Sequence, residues 1–248
     1  MNLTLIIKYL FLYLIFIKNV YSIKISVILP VYNTSKYLKR ILSAIINQTL
    51  SDIEIICIDD ASTDNSIEIL KKYGNNDNRI KIIHFDINKG VSVARNKGIE
   101  LATGEFLSFM DSDDYVDKKY LEYLYSYSKG YDVVVTHFAR GTNESDDYYL
   151  DKGKHYNNGY LFDSIFRKEF LDKNNIRFNN KRRRRGDYYF RKNCYKYNPI
   201  IFEAPDVGIY YYYKERLGSI MNKSEERLKK VRRRAEGASK RRNIKNQL

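Results

Sequence analysis

Four short apolar runs alternate with three stretches of helical period between residues 24 and 110, and few architectures can absorb that order. Residues 23–30 (IKISVILP), 53–58, 80–85 and 106–110 are dominated by β-branched and aromatic side chains, which marks them as buried strands. Residues 36–48 set Leu38, Ile41, Leu42, Ile45 and Ile46 at helical spacing, and residues 66–73 and 91–102 are helical as well. Asp64, or Thr63 before it, is the expected cap of the second helix. The connections are short, so each strand–helix–strand unit is expected to cross over right-handedly into a largely parallel sheet. Ligands of such sheets sit beyond the carboxyl ends of the strands. Those ends carry Val31-Tyr32-Asn33, Asp59-Asp60 and Asp111-Ser112-Asp113-Asp114. Acidic groups therefore converge on one sheet edge.

The second half is less regular. Residues 115–129 are expected to be helical and 131–136 to form a strand. Residues 141–159 should form a loop with a hairpin, followed by helices over 161–171 and 187–196. Residues 200–213 suggest one or two strands. No internal repeat is present. A hydrophobic content of 44% is enough for a sizeable core and excludes a fully disordered chain. The net charge of +14 is concentrated, with one share in residues 181–185. Another lies in the last 26 residues, which hold eleven Lys or Arg against three Glu. That tail, a basic helix or disordered, suits an anionic membrane surface. No helix-turn-helix, zinc-finger or RNA-binding signature accompanies the charge, so a nucleic-acid partner is disfavoured. Cys57 and Cys194 make neither a disulfide framework nor a zinc site.

The first 22 residues stand apart. Their apolar centre over 9–17 is short for a membrane span and is followed by Val20-Tyr21-Ser22, as in a cleaved secretory signal. An uncleaved anchor and a buried helix are the alternatives. Export is thus the expectation, with a membrane-anchored or cytoplasmic membrane-face location beside it.

The three carboxylates of Asp111-Ser112-Asp113-Asp114 repel one another unless a cation or solvent relieves them. Oxygen donors of this kind suit Mg²⁺ or Mn²⁺, which take one or two carboxylates together with substrate phosphates. A solvated acidic loop is the rival reading. A calcium loop counted from Asp111 would need glycine at its sixth position, where this chain has Val116, although Glu122 fits the twelfth. No Gly-rich phosphate loop is present.

The segments ISVILPVYN (25–33), IEIICIDDASTDNS (53–66) and GVSVARNKGIELATGEFLSFMDSDD (from Gly90) together resemble the family 2 glycosyltransferases of the GT-A fold. The likeness continues more weakly through LFDSIFRKEFLDKNNIRF and YYYYKERLGSIMN. It implies an α/β fold with a mixed, mostly parallel sheet flanked by helices. The catalytic domain would span 23–221, with a nucleotide-binding half at 23–117 and an acceptor half at 118–221. It implies an inverting transfer from a nucleotide-sugar, with a uracil-type base, to a hydroxyl on a glycan, lipid or protein. Pro30, Tyr32 and Asn33 would line the nucleotide site, and Asp60 would bond the base with Asp59 beside it. Arg95 and Asn96 would lie near the phosphates or ribose, along with Ser112. Asp113 would be the principal metal ligand, and Asp111 would contact the ribose or the metal. The family's base usually sits in an acidic pair ahead of a helix; here the pair is reduced to Gly186-Asp187, and Asp187 is the candidate base. The bland counterparts are a turn for Asn33, a pre-helix loop for Asp60, a surface position for Arg95 and a helix cap for Asp187. Residues 181–185 suit either an anionic ligand or solvent, and 214–220 would form a late segment near the donor. Relatives that polymerise carry Gln-x-x-Arg-Trp, and this chain has no Trp. A sugar-binding descendant without activity is the remaining alternative.

Overall fold

A computed structural model describes residues 7–8, 22–141, 148–151, 159–181, 185–205 and 209–213. The expected N-terminal signal (except residues 7–8 and 22), basic residues 182–184, the late segment 214–220 and the tail 222–248 lie outside the described residues. In chain order the elements are β1 (Ile25–Val31), α1 (Ser35–Ile46), β2 (Ile53–Asp59), α2 (Ser66–Gly74), β3 (Ile80–His84), α3 (Val91–Leu101) and β4 (Phe106–Phe109). Then come β5 (Tyr115–Val116), α4 (Tyr120–Ser126), β6 (Val133–Val135), β7 (Phe138–Gly141) and β8 (Tyr148–Asp151). The described chain ends with β9 (Ser164–Arg167), α5 (Lys168–Lys173), α6 (Gly186–Tyr195), β10 (Ile201–Glu203) and β11 (Tyr210–Tyr213).

The main sheet has seven strands in the order β10-β6-β9-β4-β1-β2-β3. Strands β1 to β4 are mutually parallel where they pair, and β9 is antiparallel to both its neighbours. Both faces are buried, which is why the strands read as continuous apolar runs rather than alternating ones. Ile25, Val27, Leu29 and Val31 of β1 face the layer of α1, α2 and α4, whereas Ile28 faces that of α3, α5 and α6. A Cβ on Gly98 would come within 2.4 Å of Ile28, so α3 lies closer to β1 than any other residue would allow. A smaller sheet, β5-β11-β7-β8, packs beyond the end of β4.

Two expectations needed correction. Residues 115–129 are not one helix: Tyr115 and Val116 pair with β11, and the helix starts at Tyr120. Residues 161–171 are not helical throughout. Ser164–Arg167 is a central strand between β4 and β6, where tertiary pairing overrides an ambiguous short apolar run. The second helix is capped at Asn65 by position, although Asp64 still accepts the Ser66 N–H at 3.0 Å and the Ser35 N–H at 3.0 Å. That one carboxylate joins the starts of α1 and α2. Cys57 and Cys194 are buried free thiols. Among the described residues, no helix is long and apolar enough to cross a membrane.

The edge opposite the acidic clusters is closed by Glu54, which is 3% exposed. It accepts from Ser26 Oγ at 2.6 Å, Thr103 N at 2.6 Å and Lys81 Nζ at 2.6 Å. Burial pushes this carboxyl up, but the hydrogen bonds from Lys81, Ser26 and Thr103 outweigh it and leave it below its ordinary range. A depressed folded-state value stabilises the fold above the unfolded value, and that contribution is lost as pH falls through the folded one. Glu54→Gln is therefore expected to cost about 2 kcal/mol near neutrality. The wild-type advantage should shrink on acidification. Urea midpoints of both proteins from about pH 7 down to pH 3 check this; a constant difference would refute it.

Candidate active site

The carboxyl ends of β1, β2 and β4 meet the first turns of α3 and α6, and one side chain ties the two sides together. Arg95, in the second turn of α3, is 5% exposed. Its Nη2 donates to Asp111 Oδ1 at 2.8 Å and its Nη1 to Asp187 Oδ1 at 2.5 Å. The guanidinium also lies over the Phe178 ring, 5.4 Å from its centroid. A planar cation with donors on separate nitrogens can bridge two carboxylates in this way, which a lysine cannot reproduce. Burial alone would disfavour the Arg95 charge; Asp187 and Asp111 more than restore it, so the group is held protonated. Burial pushes the Asp187 carboxyl up, Arg95 draws it down, and Asp111 pushes it up again, with a net upward shift. The side chains of Asp111 and Asp187 keep 31% and 32% of their surface open.

Asp187 is held by its helix rather than capping it. The cap position belongs to Arg185, at φ 55° in the left-handed region, and Asp187 stands inside the first turn. A negative group there is favoured by the exposed N–H groups of the helix start. Gly159 passes directly over this turn at φ +76°, where a Cβ would lie 2.8 Å from Tyr188 Cα. Beneath it, Phe178 and Phe190 stack at 4.3 Å, with Phe109 edge-on to both.

The acidic loop is pinned from three elements. Arg40 of α1 donates to the Asp113 carbonyl at 2.7 Å. Arg95 holds Asp111 from α3. Tyr210 of β11 is fully buried; its hydroxyl donates to Asp114 Oδ2 at 2.6 Å and accepts the Asp111 N–H at 3.0 Å. Sequence reading missed Tyr210, because a run of four tyrosines in a strand marks no one of them. It missed Arg40 too, since a basic residue on an exposed helix face carries no signal. Ser112 and Asp114 are buried, whereas Asp111 and Asp113 remain partly open. Asp111 Oδ2 makes no hydrogen bond among the described residues. One open carboxylate oxygen and a second partly exposed carboxylate suit a hard divalent ion that takes the rest of its ligands from phosphate and water. Among the described residues, no group of three or more His, Cys, Asp or Glu is arranged to hold a metal unaided.

The remaining candidates divide. Tyr32 stands 45% exposed at the end of β1. Pro30 is buried in β1 past the last pairing with β4 at Ile28, where a strand residue without an N–H costs least. Asn33, at φ 51°, accepts the Thr63 N–H at 2.8 Å and so ties the loop after β1 to the loop after β2. Asp60 is 3% exposed and accepts the Lys89 and Gly90 N–H groups at 2.7 and 2.8 Å, fixing the entry to α3. Asp59 is completely buried and bonded to His84 Nδ1 at 2.7 Å, so in this conformation it has no surface to offer a ligand. The Asn96 amide donates to the Phe178 carbonyl at 2.9 Å and accepts its N–H at 2.8 Å. It fastens the segment leading to α6. Of the basic run, Lys181 and Arg185 are exposed.

This chain is similar to several known proteins. Over 128 residues it is 40% identical to glycosyltransferase GlyG of Streptococcus pneumoniae, covering 51% of this chain and 42% of that protein. Over 172 residues it is 35% identical to the putative glycosyltransferase EpsH of Bacillus subtilis, covering 62% of this chain and 50% of that protein. The chain thus spans half or less of the length of these relatives. Among solved structures, S. aureus TarS residues 1–349 in complex with UDP-GlcNAc superposes with a TM-score of 0.71 at 27% identity, covering 80% of this chain and 60% of that one. The fold is accordingly GT-A, as its sheet order and the ligand edge of β1, β2 and β4 lead one to expect. The sequence model of glycosyl transferase family 2 matches residues 26–206, from the second residue of β1 through β10, and the chain belongs to that family.

Proposed function

We propose that this chain transfers a sugar from a uridine-type nucleotide-sugar to a hydroxyl acceptor, with inversion at the anomeric carbon. The carrying observation is the Arg95 bridge, which brings Asp111 from the sheet edge and Asp187 from α6 to one guanidinium. The carboxylates read here as donor-side and acceptor-side thus meet on one side chain. The structures of TarS with UDP and with UDP-GlcNAc support the uridine reading of the donor. Tyr32, 45% exposed at the end of β1, would meet the base, and Asp60 would bond it.

In the reaction, Asp187 takes the proton of the acceptor hydroxyl. The acceptor oxygen bonds to the anomeric carbon as the bond from that carbon to the diphosphate breaks, and the nucleoside diphosphate leaves. The upward shift at Asp187 makes it a stronger base than an ordinary aspartate, while Arg95 keeps it ionised. Asp113 and Asp111 would hold Mg²⁺ or Mn²⁺, which when bound neutralises charge growing on the leaving phosphate oxygen. The acceptor class is a glycan, lipid or protein hydroxyl, and the basic tail suits an acceptor met at an anionic membrane surface.

The test is UDP release from UDP-GlcNAc, UDP-glucose and UDP-galactose by the purified full chain with Mn²⁺. Asp113→Ala is expected to abolish metal-dependent UDP binding by calorimetry. Unchanged affinity would put the metal elsewhere. Absence of UDP release from every donor, together with absence of metal-dependent UDP binding, would sink the enzyme reading.

A further inference from the structure

A second buried ion pair lies one turn along α6 from Asp187. Arg191 is 1% exposed and Asp163 is fully buried. The Arg191 guanidinium donates to Asp163 Oδ1 and, at 2.7 Å, to Ser164 Oγ. Ser164 Oγ in turn donates to Asp163 Oδ1 at 2.7 Å. Asp163 is itself fixed to the sheet, since its carbonyl accepts the Thr136 N–H at 2.8 Å just after β6. Ser164 begins β9, held between β4 and β6. The pair therefore links a rigid central strand to the helix that carries the candidate base.

An ion pair buried this deeply is a poor source of stability, because desolvation offsets most of its attraction, and apolar side chains of similar volume often do as well. The surroundings are already apolar: Phe190 packs against Phe109, Phe166 and Phe178. Such contacts hold α6 down without fixing its rotation, since apolar burial has no direction, and the Arg95 bond holds the helix only at the turn that carries Asp187 itself. Guanidinium–carboxylate bonds do have direction. Among the described residues, no side-chain hydrogen bond caps the start of α6. Residues i and i+4 share a helix face, so a rotation permitted at Arg191 is passed to Asp187 one turn away.

We infer that Arg191 is a positioning residue: its paired contact with Asp163 and Ser164 sets the rotation of α6 and so aims the Asp187 carboxylate. The inference rests on Asp187 being the base of the proposed transfer. Arg191 touches neither substrate nor reacting atoms in this scheme, and acts only through the helix.

The test separates orientation from stability. The double variant Asp163→Leu with Arg191→Met replaces the pair by apolar side chains and is expected to keep thermal stability and UDP affinity close to wild type. Its kcat for UDP release from UDP-GlcNAc with Mn²⁺ should nonetheless fall at least tenfold. Recovery of wild-type kcat in that stable variant would overturn the inference and leave the pair as packing. Should the double variant fail to fold, Arg191→Lys decides in its place: it keeps the charge but loses the planar guanidinium whose Nη2 serves both Asp163 and Ser164, and the same fall in kcat at unchanged UDP affinity is expected. If the wild-type chain releases no UDP, the enzyme reading fails on its own. Hydrogen exchange over residues 186–190 then judges the anchoring. Faster exchange there than in wild type, with β9 unaffected, supports it, and unchanged exchange overturns it.

Discussion

Asp187→Asn is expected to lower kcat by about 10²–10⁴-fold, the usual worth of a positioned general base, while donor affinity stays within about twofold. Asparagine is nearly isosteric and can still accept from Arg95, so the 2.5 Å contact that joins α6 to α3 is weakened rather than deleted. What is lost is the group that receives the acceptor proton. The pH profile gives a second readout. The wild-type rate should fall as acidification protonates Asp187, and because burial and Asp111 push that carboxyl up against the pull of Arg95, the fall should begin above the ordinary aspartate range. In the asparagine variant that acidic limb should disappear. Steady-state kinetics with UDP-GlcNAc across pH, beside calorimetric UDP binding, measure both quantities. A variant with near wild-type kcat removes Asp187 as base, whatever its binding shows.

What the sequence disclosed about this site follows from how each residue is held. The first half was legible because every element there obeys its own local period: Leu38, Ile41, Leu42 and Ile45 line the buried face of α1, and the runs that became β1 and β2 are apolar throughout. The carboxyl ends of those strands then had to carry the site. The second half resisted because its elements owe their identity to partners far away in sequence. Ser164–Arg167 is a strand only because β4 and β6 flank it, and Tyr115–Val116 only because β11 returns beside it. The same separation hid how the site is supported. Asp111 and Asp113 stand out as an acidic cluster, but Tyr210 and Arg40, which shape that loop, reach it across 99 and 73 residues of chain. Asp60 and Asn96 carry a task that no local pattern announces: their polar atoms bond the main chain at the entry to α3 and ahead of α6.

Arg95→Met is expected to damage stability and chemistry together, and Arg95→Lys to separate them. Methionine preserves much of the volume but leaves Asp111 and Asp187 facing one another without a cation. Removing one member of a buried charge network typically costs about 3–5 kcal/mol. Both carboxylates here retain roughly a third of their surface, so water screens part of the repulsion and the loss should fall toward the lower end of that range. Without the guanidinium the ionised form of Asp187 is disfavoured, its pKa rises further, and the acidic limb of the rate profile moves to higher pH. Lysine restores a positive charge but only as a single point, whereas the native contacts use Nη1 for Asp187 and Nη2 for Asp111. Arg95→Lys should therefore recover most of the urea midpoint and still transfer about tenfold or more slowly than wild type, because the two carboxylates are no longer held at a fixed separation. Urea titration and kcat measured on the same preparations distinguish the outcomes. If lysine restores both, a nearby positive charge is sufficient and the fork has no part in setting the site; if neither variant differs from wild type, Arg95 does not couple the sheet edge to α6 at all.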